Sequence, residues 1–212
     1  MRFLALSGVR MEVTVTVNDG WVGVASALAD AAPGTHVVLG PGQFEGSDTL
    51  IIPTAITLGG KDTTLKFYGD GPVLSAKSGR DIVLNDITID ASEANIATRE
   101  FPNLEPIDPP ASEKTVRWGL VWLDAIDAPK VSGLTITGCG DTVHGLCISN
   151  SSAVSVEGTE VSNARSGICL FSSHDSQIIA NRCHNNRAAG IVLFSSESEA
   201  LEQNECWGNG SV

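Results

Sequence analysis

The sequence predicts an all-β fold, a parallel β-helix with about 22–26 residues in each turn. Three observations predict it. The stretch Gly167-Ile-Cys-Leu-Phe-Ser-Ser173 returns as Gly190-Ile-Val-Leu-Phe-Ser-Ser196, and Asn181-x-Cys183-x-x-Asn186 returns as Asn204-x-Cys206-x-x-Asn209 at the same offset. Self-similarity at a fixed period of this size marks a stacked-repeat architecture. The apolar runs inside the unit are short and broken by Ser, Asn and Gly, so each repeat is a turn of strands and not a helical hairpin. Aligned turns also put apolar residues in columns. Leu84, Val131, Val156, Ile178 and Leu201 form one, and Ile89, Ile136, Val161, Cys183 and Cys206 a second. Leu120, Leu146, Ile168 and Ile191 form a third, and Trp122, Ile148, Leu170 and Leu193 a fourth. Such columns fill the interior of a coil whose turns touch only their neighbours.

Residues 12–20 alternate and end in a turn, which predicts a first strand. Trp21–Ala32 is Ala-rich, carries Trp21, Val24, Ala25 and Leu28 on one side, and is stopped by Pro33-Gly34. That pattern predicts a helix. An open end of a coil exposes core side chains and unpaired strand edges, so a short amphipathic helix is the expected cover, and residues 12–34 form that cap. His36–Gly42, Thr49–Pro53 and Ala55–Gly60 are strands with sharp corners. Ala91–Arg117 has four prolines, five acidic residues and no alternation; residues 91–118 are therefore a long loop, functional or mobile. Asp141, Asn163, Asn186 and Asn209 form one polar column, and Thr159, Asn181 and Asn204 another, at corners where Asn tolerates a left-handed backbone and bonds the next turn. Turns start at Gly145, Gly167 and Gly190, so the next falls just beyond Val212. The whole of 1–212 reads as one domain with an uncapped C-terminal end. Either the natural protein continues, which is favoured, or a partner copy covers that end.

A net charge of −12 excludes a nucleic-acid partner, since no basic stripe is present to meet phosphates. The N-terminal Met1–Arg10 holds an apolar run too short for a signal peptide, and no segment is long enough to cross a membrane, so a cytoplasmic location is expected. Cys139, Cys147, Cys169, Cys183 and Cys206 fall at repeat positions. Cys183 stacks over Cys206 and Cys147 over Cys169, at a rung spacing of about 4.8 Å that a disulfide tolerates; free thiols that pack as small residues are the favoured reading. His144, His174 and His184 occupy different columns without zinc spacing, so no metal is expected. No P-loop, dinucleotide fingerprint or nucleophile elbow is present, so no cofactor is expected.

Three stretches carry a resemblance: Ala27-Leu-Ala-Asp-Ala-Ala-Pro-Gly34, Val37-Val-Leu-Gly-Pro-Gly-Gln-Phe-Glu-Gly-Ser47 and Ile56-Thr-Leu-Gly-Gly60. In that order they resemble the opening of right-handed parallel β-helix proteins of the pectate-lyase-like superfamily. The later turns, Gly-Ile-x-Leu-x-x-Ser followed by Asn-x-Cys-x-x-Asn, resemble the carbohydrate-binding and sugar-hydrolysis (CASH) repeat of the same group. The resemblance covers most of the chain outside 91–118 and implies a right-handed, single-stranded coil. Enzymes of that superfamily acting on acidic polysaccharides use an outer strand face with aspartates and a basic residue. The paired aspartates and Gly-His-Gly of the polygalacturonases are missing here, and Val143-His144-Gly145 is only a partial echo.

The strand after each leading glycine alternates, which sends one set of side chains inward and the other outward. Val121, Cys147, Cys169 and Val192, with Leu123, Phe171 and Phe194, are expected to line the exterior. A dry stripe of this kind suits a protein contact better than a sugar groove, unless the 91–118 loop folds over it. Asp141, His144, Arg165 and Arg187 lie near one edge of that face, with His174 and Asp175 at the opposite corner. A carboxylate, an imidazole and guanidiniums suit acid–base chemistry, and they suit solvated corners or salt bridges equally. Two functions follow. One is a non-catalytic scaffold or recognition module of a larger protein, binding a protein partner, another copy of itself or a glycan. The alternative is a carbohydrate-active enzyme: a polysaccharide lyase, hydrolase or epimerase.

Overall fold

Short β-rich segments separated by tight corners coil into stacked turns, and each full turn supplies strands to three parallel ladders. The computed structural model describes residues 11–96, 118–138, 140, 142–197 and 200–210. One complete turn consists of Ser166–Phe171, Gln177–Ile179 and Arg182–His184, and the next of Ala189–Phe194, Ala200–Glu202 and Glu205–Trp207. Earlier in the chain, Thr57–Phe67 and Val83–Asp90 each run through two ladders without a break, turning at the left-handed residues Asp62 and Asp86. The third ladder is separate and joins Leu50–Ile51, Leu74–Arg80, Gly119–Asp127, His144–Ser149, Ser166–Phe171 and Ala189–Phe194.

The first two apolar columns sit as the sequence predicts. Leu84 pairs with Val131, Val131 with Val156, Val156 with Ile178, and Ile178 with Leu201. Ile89, Ile136, Val161, Cys183 and Cys206 pair in the same manner. All but the last rung's Leu201 and Cys206 are buried, and each buried Leu or Ile contributes about 1.5–3 kcal/mol. In the third ladder the strand Gly119–Asp127 is one residue away from its expected register. Val121, not Leu120, pairs with Leu146, and Leu123, not Trp122, pairs with Ile148. A slip of one residue exchanges the two faces of a strand.

Three corner positions form polar ladders in which each rung's side chain takes the backbone N–H of the rung before. Asn181 Oδ1 accepts the Thr159 N–H at 2.9 Å, and Asn204 Oδ1 accepts the Asn181 N–H at 3.0 Å. Asn186 Oδ1 accepts from Ala164, and Asn209 Oδ1 accepts from Asn186, both at 3.0 Å. Ser151, Ser173 and Ser196 do the same with their hydroxyls, accepting from Ile126, Ser151 and Ser173. Asn163 was expected in the second of these ladders but stands one place earlier. It shares a left-handed corner with Asn185 and Gly208 at φ of 53, 54 and 62°, while Ala164 occupies the ladder position. The shift arises because Asn186 is followed by one more residue before Gly190 than Ala164 has before Gly167. Expected Asp141 of the same column, and Cys139, lie outside the described residues.

Other corners stack left-handed residues: Ser78, Ala125, Asn150, Ser172 and Ser195 on one edge, and Ala55, Asp81, Ala128, Ala153 and Asp175 on the next. Each such non-glycine residue costs about 1–2 kcal/mol, which the ladder bonds and burial on either side offset.

At the N-terminal end the first strand is shorter than predicted, Glu12–Val15, and a 3-10 turn at Val17–Asp19 leads into the helix Gly20–Ala29. Trp21, Val24 and Leu28 are buried, but Ala25 is exposed and Ala27 and Ala31 pack on the core in its place. Trp21 anchors the cap: its ring lies 5.9 Å from that of Phe67, and its Nε1 donates to the Asp48 carbonyl at 3.0 Å. A side chain at Gly46 would collide with the Trp21 ring, so that residue is fixed by close approach. Of the 91–118 segment, Ala91 and Ile96 are buried, and 97–117 lie outside the described residues.

Asn181 provides the sharpest stability test. Replacing it with Ala leaves the Thr159 N–H and the Val156 carbonyl unmatched in the interior, at about 1–3 kcal/mol for each group. Asn163→Ala, at an exposed corner, is expected to cost under about 1 kcal/mol. Urea unfolding midpoints of the two variants check the contrast.

Candidate functional site

The outer face of the third ladder is identified by its charged members. Lys77 is exposed and its Nζ lies 4.5 Å from the Trp122 ring centroid; Ser149 Oγ donates to Asp124 Oδ1 at 2.6 Å. Register then places Ser75, Trp122, Cys147, Cys169 and Val192 in one outward column, and Lys77, Asp124, Ser149, Phe171 and Phe194 in the other. Val121 and Leu123, expected on the exterior, face inward with Leu146, Ile168, Ile148 and Leu170. Trp122 and Asp124 take their places outside. The expected dry stripe is therefore interrupted by a tryptophan, a lysine and an aspartate.

Nor is the stripe open along its length. Trp122, Cys147, Cys169 and Phe171 are all buried, whereas Val192 is half-buried and Phe194 is 39% exposed in the last described turn. Phe171 contacts the Phe194 ring at 6.1 Å on one side and the His144 ring at 5.9 Å on the other. His144 is accordingly a packed side chain, only 5% exposed. The expectation that the 91–118 loop folds over this face falls mainly on 97–117, outside the described residues.

What remains accessible is the downstream edge. Asp124 accepts from Ser149 and, at 2.8 Å, from the Asn150 amide, while Trp122 Nε1 donates to Ser149 Oγ at 3.4 Å. Beyond the corner, Asp127, Ser152, His174 and Glu197 align in successive rungs, with Ser152 Oγ donating to Asp127 at 2.7 Å. His174 and Asp175 are exposed there. Arg165 and Arg187 lie at the upstream corner on adjacent rungs, linked through the Ala188 N–H to the Arg165 carbonyl at 2.6 Å. The predicted polar residues thus divide between opposite edges of one face, and the structure does not bring them together. Asp141 lies outside the described residues. The residues that the sequence reading passed over, Lys77, Ser149 and Asn150, carried one usable signal: in the correct register all three flank Asp124.

Chemically this arrangement offers hydrogen-bond donors, a carboxylate and a cation on neighbouring rungs. Glycoside hydrolysis ordinarily requires a pair of carboxyl groups across the scissile bond, and among the described residues of these two outward columns Asp124 is the one carboxylate. Among the described residues no group of three or more His, Cys, Asp or Glu is placed to hold a metal ion. No helix is long and apolar enough to cross a membrane among those residues.

Residues 119–212 match the family model described as a right handed beta helix region. The chain folds as a right-handed parallel β-helix. A structure from Parabacteroides merdae, named a "putative glycosyl hydrolase", is similar to this β-helix over 92% of the present chain and 96% of its own, with a TM-score of 0.64 at 8% identity. A pectin methylesterase solved with a hexasaccharide aligns over 93% of this chain and 68% of its own, at 12% identity and a TM-score of 0.45. At these identities the likeness is one of fold. No curated protein sequence matches the chain.

Cys169, Cys183 and Cys206 carry free thiols. Burial pushes the Cys169 thiol far up and that of Cys183 up to about 12, and it raises Cys206 as well. The unfolded chain loses the Cys183 proton near 9.0, so this group's contribution to stability is complete below that pH and is lost as pH rises toward about 12. At pH 8, Cys206, exposed in the last rung, is expected to react with a disulfide reagent. Cys147, Cys169 and Cys183 are expected to react only on unfolding. Peptide mass spectrometry of the labelled protein reads the difference.

Proposed function

We propose that this β-helix is a non-catalytic glycan-recognition module whose ligand lies along the coil axis at the open edge of the third ladder. The observation that carries this reading is the group Lys77, Trp122, Asp124, Ser149 and Asn150. It places a cation, a carboxylate and amide donors on neighbouring rungs of one outer face. Successive rungs are about 4.8 Å apart, so an extended chain of sugars meets a new set of polar groups at each step. The cations bordering this face, Lys77 at one edge and Arg165 and Arg187 at the other, suit an acidic glycan. The name of the Parabacteroides merdae structure agrees with a carbohydrate role.

Burial of Cys147, Cys169 and Phe171 removes most of the reason to assign the face to a protein partner. Enzymatic action on a glycan is the second reading, with Asp124 as its acid–base residue.

Titration calorimetry with oligogalacturonate and oligoalginate is expected to show binding to at least one of them. Lys77→Ala should weaken it about tenfold and leave the melting temperature unchanged, because Lys77 is exposed. Higher salt should weaken it too. Absence of binding to both acidic oligosaccharides, or binding indifferent to Lys77→Ala, would rule out this site. Release of shortened or unsaturated sugars that stops with Asp124→Asn would establish the enzymatic reading instead.

A further inference from the structure

The second ladder presents a different outer face. Its outward residues fall into two columns, one running Gln43, Thr64, Thr88, Thr135, Glu160, Arg182, Glu205 and the other Glu45, Lys66, Asp90, Thr137, Ser162, His184, Trp207. Every member but the last is polar. The centre is made of hydroxyls that both donate and accept, as the hydroxyls of a sugar do.

The two cationic side chains of these columns, Lys66 and Arg182, are already paired with carboxylates. Lys66 Nζ is 2.7 Å from Glu93 Oε1. Arg182 lies between Glu160 at 3.8 Å and Glu205 at 3.4 Å, and His184 Nε2 is 3.0 Å from Glu160 Oε1. Asp90 and Glu45 add negative charge. A polyanion finds repulsion here, and a neutral chain does not.

Two exposed aromatic rings stand on the strip, one on the Lys66 rung and one on the last described rung. Tyr68 is 37% exposed, with Lys66 Nζ 5.5 Å from its centroid. Trp207 is 44% exposed, stacked on His184 at 4.5 Å and 13°, with the Arg182 guanidinium 5.6 Å away. Rings supported from one side in this way keep exposed surface for the C–H faces of pyranose rings. From the Lys66 rung to the Trp207 rung is five steps, about 24 Å at the usual rung spacing, and one step is close to the length of one pyranose unit.

We propose that this face is a second binding surface, distinct from that on the third ladder, for a neutral linear glycan lying along the coil axis. Tyr68 and Trp207 are its aromatic contacts, and Thr88, Thr135 and Thr137 form its hydrogen-bonding floor. The probes are cellohexaose, xylohexaose and mannohexaose, with oligogalacturonate as the acidic comparison, all followed by titration calorimetry. At least one neutral hexasaccharide is expected to bind, and T135V/T137V should weaken it about tenfold, as should Tyr68→Ala. The same binding should be unaffected by Lys77→Ala, which separates this surface from the one proposed above. If T135V/T137V is poorly folded by circular dichroism, Tyr68→Ala alone decides, because its side chain is exposed. Failure of all three neutral sugars to bind overturns the proposal. So does neutral binding that survives loss of Tyr68 and the threonine hydroxyls, or that is abolished by Lys77→Ala.

Discussion

The constraint on which this β-helix depends is the fate of backbone amides at its corners. Within a ladder every N–H and C=O meets the strand on either side. At a corner the chain turns away from its neighbours, and a buried amide without an acceptor costs as much as a lost hydrogen bond. This chain meets that demand with one side chain per corner per turn: Asn181 and Asn204 at the first, Asn186 and Asn209 at the second, Ser173 and Ser196 at the third. The asparagine amide then donates to a carbonyl of the rung before its own, as Asn204 Nδ2 does to Ile178. The apolar columns supply most of the free energy, but these side chains allow a strand to end and another to begin without an unmatched group in the interior.

Much of the fold was legible in the sequence for the same reason. A coil in which like sits over like writes its geometry directly into sequence periodicity, so the first two apolar columns and the order of strands could be read from spacing alone. Errors arose where the period changes by one residue. Asn163 stands four residues before Gly167 as Asn186 does before Gly190, yet the corner after Asn186 is longer by one residue, so Ala164 is the true ladder member. The insertion before Gly119 hid the register of the next strand in the same way, and that slip reversed Val121 and Leu123 against Trp122 and Asp124. The role of the Ser-Ser pair was missed altogether, although it lies inside the repeat: Ser172 is the left-handed residue and Ser173 the acceptor.

The candidate site was less legible than the fold because it is not periodic. Lys77 and Asp124 lie far apart in sequence and share a face only through pairing of Leu74–Arg80 with Gly119–Asp127, strands whose connection includes the non-repeating 91–118 stretch. His144, Arg165 and Arg187 were singled out for their proximity to leading glycines, and that places them at a corner correctly. It does not place them opposite His174 and Asp175, which the full width of a strand separates. A flat, wide ladder keeps its two edges apart, so chemistry on such a surface is assembled across rungs rather than across a strand.

The polar ladders also have a direction. In the asparagine ladders each side chain reaches back to the rung before its own, accepting a backbone N–H there and donating to a carbonyl of that same rung, as Asn181 does with Thr159 and Val156. Each ladder asparagine therefore staples its own coil to the preceding one through both ends of its amide, and its loss frees two backbone groups in that preceding coil.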